Sequence, residues 1–254
     1  MKTKILSLLG VIILGCSTLE SQNRISINIP TVEEESAYVW SSIQDISFFE
    51  KHNYQLKLPE GKLINTLLTK SKNNQLFPAD FDALLAFMKT KVYNVADYQQ
   101  GYQKIKDQQP LINKLVKKLG KCKRNWDFKP FDVYQVNLTL YGPGGNYNPD
   151  NGSILIQTTT TGGFKQYANP ANTIIHEITH IGIEASIINK YQVPHIIKER
   201  IVDLYVSFHF KKYLDQYQIQ NMGHNEIDQY LKKKRDFKDL NKIVAKFMKE
   251  NEVN

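Results

Sequence analysis

The chain reads as an α+β protein, mostly helical with a small antiparallel sheet, and three observations predict this. Apolar residues recur at helical spacing through most of the first half. Two segments, 131–141 and 153–160, instead alternate apolar and polar residues or run apolar between turn formers, as strands do. From Pro170 onward the helical pattern returns and holds almost to the end. With 254 residues, 41% of them hydrophobic and 23% charged, the chain has enough apolar material for a buried core.

Residues 1–15 read as an address. Lys2 and Lys4 precede an apolar run from Ile5 to Leu14, which is too short to span a bilayer and has the make-up of a secretory leader. The run ends Ile13-Leu14-Gly15-Cys16. This resembles the bacterial lipobox, which implies cleavage before Cys16 and acylation of that residue. More than one acyl chain gives stable anchoring to a membrane. The expected location is then the cell envelope. Ser17 in place of an Asp after the cysteine points to the outer membrane where there is one. Residues 16–30 are polar and read as a lipidated tether. The only other cysteine is Cys122, so a lipidated Cys16 leaves no intrachain disulfide.

Residues 31–254 read as a single domain. Thr31 caps a helix that opens with Glu33, Glu34 and Glu35 and runs to about residue 52. Residues 53–76 read as irregular. Residues 78–93 and 95–119 read as helices, with Pro110 expected to break or kink the second. A β-hairpin is expected over about 131–160, its strands joined by the turn-rich GPGGNYNPDNG. The Gly-rich stretch at 142–146 lacks the Lys and Ser/Thr of a phosphate loop and reads as a turn. The net charge of +8 is spread along the chain, with no basic stripe carrying interleaved aromatics. Nucleic acid is therefore not an expected partner.

Asn169 and Pro170 are a good cap and first residue for a helix over 170 to about 189. That helix carries His176, Glu177 and His180 as HExxH. Histidines four apart share one helix face, so both rings reach one zinc ion, while Glu177 stands where it takes a proton from water. Ile183 and Ser186 occupy the positions where a metzincin needs Gly and His, which excludes that class. Glu199 instead follows His180 with eighteen residues between, on a helix opened by Pro194. The pattern resembles the gluzincins, the thermolysin-like and alanyl-aminopeptidase-like peptidases, and its spacing matches the second group.

The resemblance covers residues 150–205 at most and implies a zinc metallopeptidase. His176, His180 and Glu199 would hold one zinc ion per chain. Glu177 would be the general base, and Asp203 would orient His176. The substrate would be a peptide or protein. The Gly-rich exopeptidase segment of the aminopeptidases is absent, which favours endopeptidase action. Residues 153–160 resemble the edge strand that zincins lay beside the metal, with an ordinary core hairpin as the equal alternative. Tyr147, Tyr205, His209 and His224 are the candidates for stabilising an oxyanion. On these expectations 31–125 is a helical half and 126–254 the catalytic half. The rival function is a zinc-binding envelope lipoprotein that assembles partners without turnover, and it would not need Glu177.

Overall fold

The computed structural model describes residues 24–165, 168–219 and 225–251. The leader and Cys16 lie outside these residues, as does His224. The fold is α+β: among the described residues, a four-stranded mixed sheet and eight α-helices. No helix among the described residues is long and apolar enough to cross a membrane.

The first strand, β1 (Ile25–Asn28), comes from the stretch expected to be tether. It is a strand because it has a partner: it pairs in parallel with β2 (Tyr134–Thr139), Ile25 facing Tyr134. The expectation of a tether through residue 30 is therefore corrected: Ile25–Asn28 belongs to the sheet. Thr31 then caps α1 (Val32–Gln44) with a full capping box to Glu34, and α2 (Ile46–Lys51) follows. The segment expected to be irregular contains α3 (Lys62–Lys72). Its start, Gly61, offers no side-chain cap, so the local signal is weak. Ile64 and Leu67 nevertheless bury one face against α1 and α4 (Pro78–Phe87). These three helices form a small core of their own around Val39, Ile43, Leu67 and Leu84.

The next helix, α5 (Gln99–Gly120), runs unbroken through Pro110. Proline removes a backbone donor and costs about 3 kcal/mol inside a helix. Here Pro110 lies on the exposed face of the helix. Ile105 before it and Ile112, Leu115 and Leu119 after it are buried on the same side, and that burial holds the helix together. This helix belongs to the large core with the sheet and the later helices. The packing boundary thus falls before α5, and not at residue 125.

The sheet order is β1-β2-β4-β3, with β3 (Asn146–Asn148) and β4 (Ser153–Gln157). The expected antiparallel hairpin between 131–141 and 153–160 is not formed. β2 and β4 are parallel neighbours, Gln135 facing Ser153, and the antiparallel partner of β4 is β3, Tyr147 facing Ile154. The loop after β2 is long enough to carry the chain past the place of β4, so β3 runs back on the outside and β4 fills the gap. β4 is therefore an interior strand, and β3 is the edge beside it.

The helix α6 (Pro170–Ile183) lies against β3, β4 and α5, and every one of its residues is buried. A π-turn over Glu184–Asn189 ends it, and α7 (His195–Phe210) packs back along it. The chain closes with a 3-10 segment, Lys234–Asp239, and α8 (Leu240–Glu250). A buried carboxylate of the small helical core reaches the sheet. Glu35 Oε1 accepts from the Tyr98 hydroxyl at 2.9 Å, the Thr139 hydroxyl at 3.1 Å and the Leu140 N–H at 2.9 Å.

Candidate metal centre

The first two donors come from α6. The spacing of four puts His176 and His180 on one face, and their Nε2 atoms lie 3.0 Å apart. The third comes from α7, whose antiparallel return brings Glu199 Oε2 to 3.4 Å from His176 Nε2 and 3.2 Å from His180 Nε2. Ligands bound tetrahedrally to zinc at 2.0–2.1 Å are separated by about 3.3 Å. Two imidazole nitrogens and one carboxylate oxygen at these separations are a donor set that fits such an ion.

The rings are held in different ways. His176 Nδ1 meets Asp203 Oδ1 at 3.3 Å and the Tyr217 hydroxyl at 2.9 Å, and that hydroxyl donates to Asp203 at 2.7 Å. Asp203, which is 1% exposed, thus sits where it can fix the ring's tautomer. Tyr217 completes the arrangement, and sequence reasoning missed it. It lies fourteen residues past Asp203, beyond the end of α7, where helical periodicity carries no information. His180 Nδ1 is buried without a hydrogen-bond partner among the described residues. Its ring is held by stacking on Tyr147, centroids 4.8 Å apart and planes 8° from parallel. Gly182, on the same helix, leaves room for Phe128. A Cβ there would sit 2.0 Å from that ring.

The electrostatics demand a positive charge. Burial alone would keep His176 neutral, but Asp203 and Glu199 outweigh it and raise its pKa to about 10. Burial lowers His180 to about 4, more than Glu199 restores. Glu199 stays ionised well below the usual carboxylate range, because the histidines overcome the burial that would raise it. Without a metal these directions leave His176 charged and His180 neutral, with Glu199 ionised beside them. A divalent cation satisfies the same carboxylates.

Glu177 is 5% exposed yet lines the cleft in front of the trio. Burial, reinforced by Glu199, raises its pKa to about 7, against the pull of His176 and Lys198. A carboxylate poised there both takes and returns a proton near neutral pH. The Gly-rich turn packs directly over it: a Cβ on Gly145 would lie 2.5 Å from Glu177 Oε1. Gly142, at φ 100°, opens the same turn beside Tyr38.

The cleft holds about 510 Å³ and runs between the large core and the small helical one. On the large-core side stands Tyr147 of edge strand β3. Its hydroxyl donates to Glu184 at 2.7 Å and accepts from Lys198 at 2.8 Å. Glu184 is therefore neither a ligand nor a plain surface carboxylate. His195 is half-exposed, with Nδ1 3.6 Å from Glu199 Oε1 and Nε2 2.9 Å from the Tyr54 hydroxyl. Tyr54, from the segment that reads as irregular, was not among the sequence candidates. Phe48 and Phe49 of α2 form an aromatic wall opposite, Phe48 being 52% exposed. Of the oxyanion candidates only Tyr147 reaches this cleft. Tyr205 and His209 stack on each other at the far end of α7, and His224 lies outside the described residues.

No family profile, curated protein or solved structure matches the chain.

Proposed function

We propose that the chain is a membrane-anchored zinc metallopeptidase of the gluzincin type, held in a bacterial envelope by a lipid on Cys16. The observation that carries the catalytic part is the juxtaposition of three metal donors 3.0–3.4 Å apart with a carboxylate, Glu177, that is not one of them. A site that only binds metal has no use for a further buried carboxylate facing the same space.

His176, His180 and Glu199 would hold the zinc, with Asp203 and Tyr217 keeping the Nδ1 proton of His176 in place. Zinc, when bound, supplies Lewis acidity toward water and a carbonyl oxygen. Glu177 takes the proton of the attacking water and passes it to the leaving amine, so the peptide bond is cut with no covalent intermediate on the protein. Lys198 stands on the same wall as a donor toward the developing negative charge, held there by Tyr147, whose own O–H goes to Glu184. A peptide laid along edge strand β3 meets backbone groups on one side and the aromatic wall of Phe48 and Phe49 on the other.

The deciding measurement is zinc content by elemental analysis, for the chain from Ser17, its Glu199→Ala variant and its Glu177→Gln variant. The expected result is one zinc per chain, weakened or lost in Glu199→Ala and retained in Glu177→Gln. Absence of zinc from all three, purified without chelators, rejects the proposal. Metabolic labelling with a fatty acid, compared with Cys16→Ser, tests the anchor separately.

A further inference from the structure

At the other end of α7 lies a second cleft, of about 690 Å³, that the proposed peptidase does not use. Three stretches distant in sequence meet there. The end of α5 brings Lys118, Lys121 and Lys123, and the segment after α7 brings Lys212. The 3-10 segment brings Lys234, Arg235 and Lys238. These are seven cations, and no carboxylate lines the cleft. None of the seven forms an ion pair among the described residues. The floor is apolar, made by Phe210 and Tyr213, and the ammonium groups of Lys118 and Lys212 lie 5.1 and 5.0 Å from the Tyr213 ring centre.

The cleft is held open by its frame. The Trp126 indole N–H donates to the Phe237 carbonyl at 2.8 Å, and the Asn125 N–H donates to the Lys238 carbonyl at 2.8 Å. These bonds pin the 3-10 segment beside the end of α5. Arg124, the one cation of this stretch that turns inward, donates to the Leu119 carbonyl and the Tyr205 hydroxyl. Seven like charges around one concavity repel each other, and no carboxylate among the described residues lines it. An anion with several phosphates satisfies them together.

We infer that this cleft binds a multiply phosphorylated or phosphate-rich anionic group, with the headgroups of an anionic bilayer as its source. The choice of source rests on the proposed acylation of Cys16. Arg24 lines the adjoining grooves with Lys117 and Lys121, on the same flank of α5. If Cys16 is acylated, the eight residues to Arg24 reach at most about 28 Å even when fully extended. The basic flank is then the face within reach of the membrane surface, where each Lys or Arg adds to attraction for anionic lipid.

The test uses the chain from Ser17, without acylation, so its outcome does not depend on the lipid. Zinc content is read separately and is independent of it. Sedimentation with phosphatidylglycerol vesicles, against phosphatidylcholine vesicles, probes the lipid source. Calorimetric titration with inorganic tripolyphosphate probes free phosphate. The variant is Lys121→Glu/Lys234→Glu, both exposed positions. The control is Lys89→Glu/Lys91→Glu, an exposed pair on the small core that changes net charge equally. The expected result is binding to phosphatidylglycerol and not to phosphatidylcholine, weakened about tenfold or more in the variant and little changed in the control. Saturable binding of tripolyphosphate alone keeps the site and reassigns its source. Equal weakening by variant and control overturns the proposal, because net charge then explains it. Binding of neither probe also overturns it.

Discussion

The two ends of α7 handle charge in opposite ways. At its start Glu199 and, one turn on, Asp203 are buried, and each faces a histidine. At its end the cations stand around a cleft that no carboxylate among the described residues lines. Buried charges must be balanced within the molecule, because desolvation makes an unpaired one expensive. Exposed charges need no internal partner, because water screens them, so they remain available for an external one. The same helix therefore displays a closed electrostatic circuit and an open one. Substitutions in the first should have large effects that salt barely changes, and substitutions in the second small ones that salt erases.

The sharpest break is expected at Glu177. Glu177→Gln should lower peptide hydrolysis by about 10³-fold while leaving zinc content intact. Steady-state rates on a peptide library read this out, and an unchanged rate would remove Glu177 from the chemistry. Asp203→Ala should weaken zinc binding by about 10- to 100-fold, measured by chelator competition. An unchanged affinity would mean that Tyr217 alone orients His176.

Glu35 tests the rule for buried charge away from either cleft. Burial raises its pKa above the model-peptide carboxylate value of 4.5, despite its three donors. A raised folded-state pKa means that the folded chain holds the proton more tightly than the unfolded one. The resulting stability is fully present below the unfolded pKa and is lost as pH climbs through the folded one. The Tm of the wild type minus that of Glu35→Gln should therefore fall as pH rises from about 4.5 and then level off. A difference that stays flat across this range rules the effect out. The smallest effect belongs to the open end of α7. Lys121→Glu, by relieving repulsion, should raise Tm by about 1–2 °C at low salt, and the gain should vanish at high salt. A fall in Tm would show that the lysine has a partner.

Local patterns in this chain were legible, and long-range meetings were not. The capping box at Thr31 and Glu34 depends on residues three apart, and it forms as its sequence implies. The pair His176 and His180 depends on one helical turn. The break expected at Pro110 fails because both halves of α5 bury their apolar face against the same neighbours. The hairpin over 131–160 fails for a related reason. Alternation identifies a strand and its faces, but not which neighbour it takes or in which direction.

By itself the sequence determined the α+β class, the HExxH helix, and the placing of Glu199 and Asp203 one turn apart on the next helix. Each rests on spacing within a few residues, where backbone geometry leaves few choices. Only the tertiary structure decided that β4 lies inside the sheet and β3 at its edge. It alone brought Tyr54, Tyr147 and Tyr217 to the histidines, and drew lysines from three separate stretches around one cleft. These contacts join residues tens to more than a hundred positions apart. They form because burying two cores dictates how the elements pack, a constraint that acts on the whole chain at once.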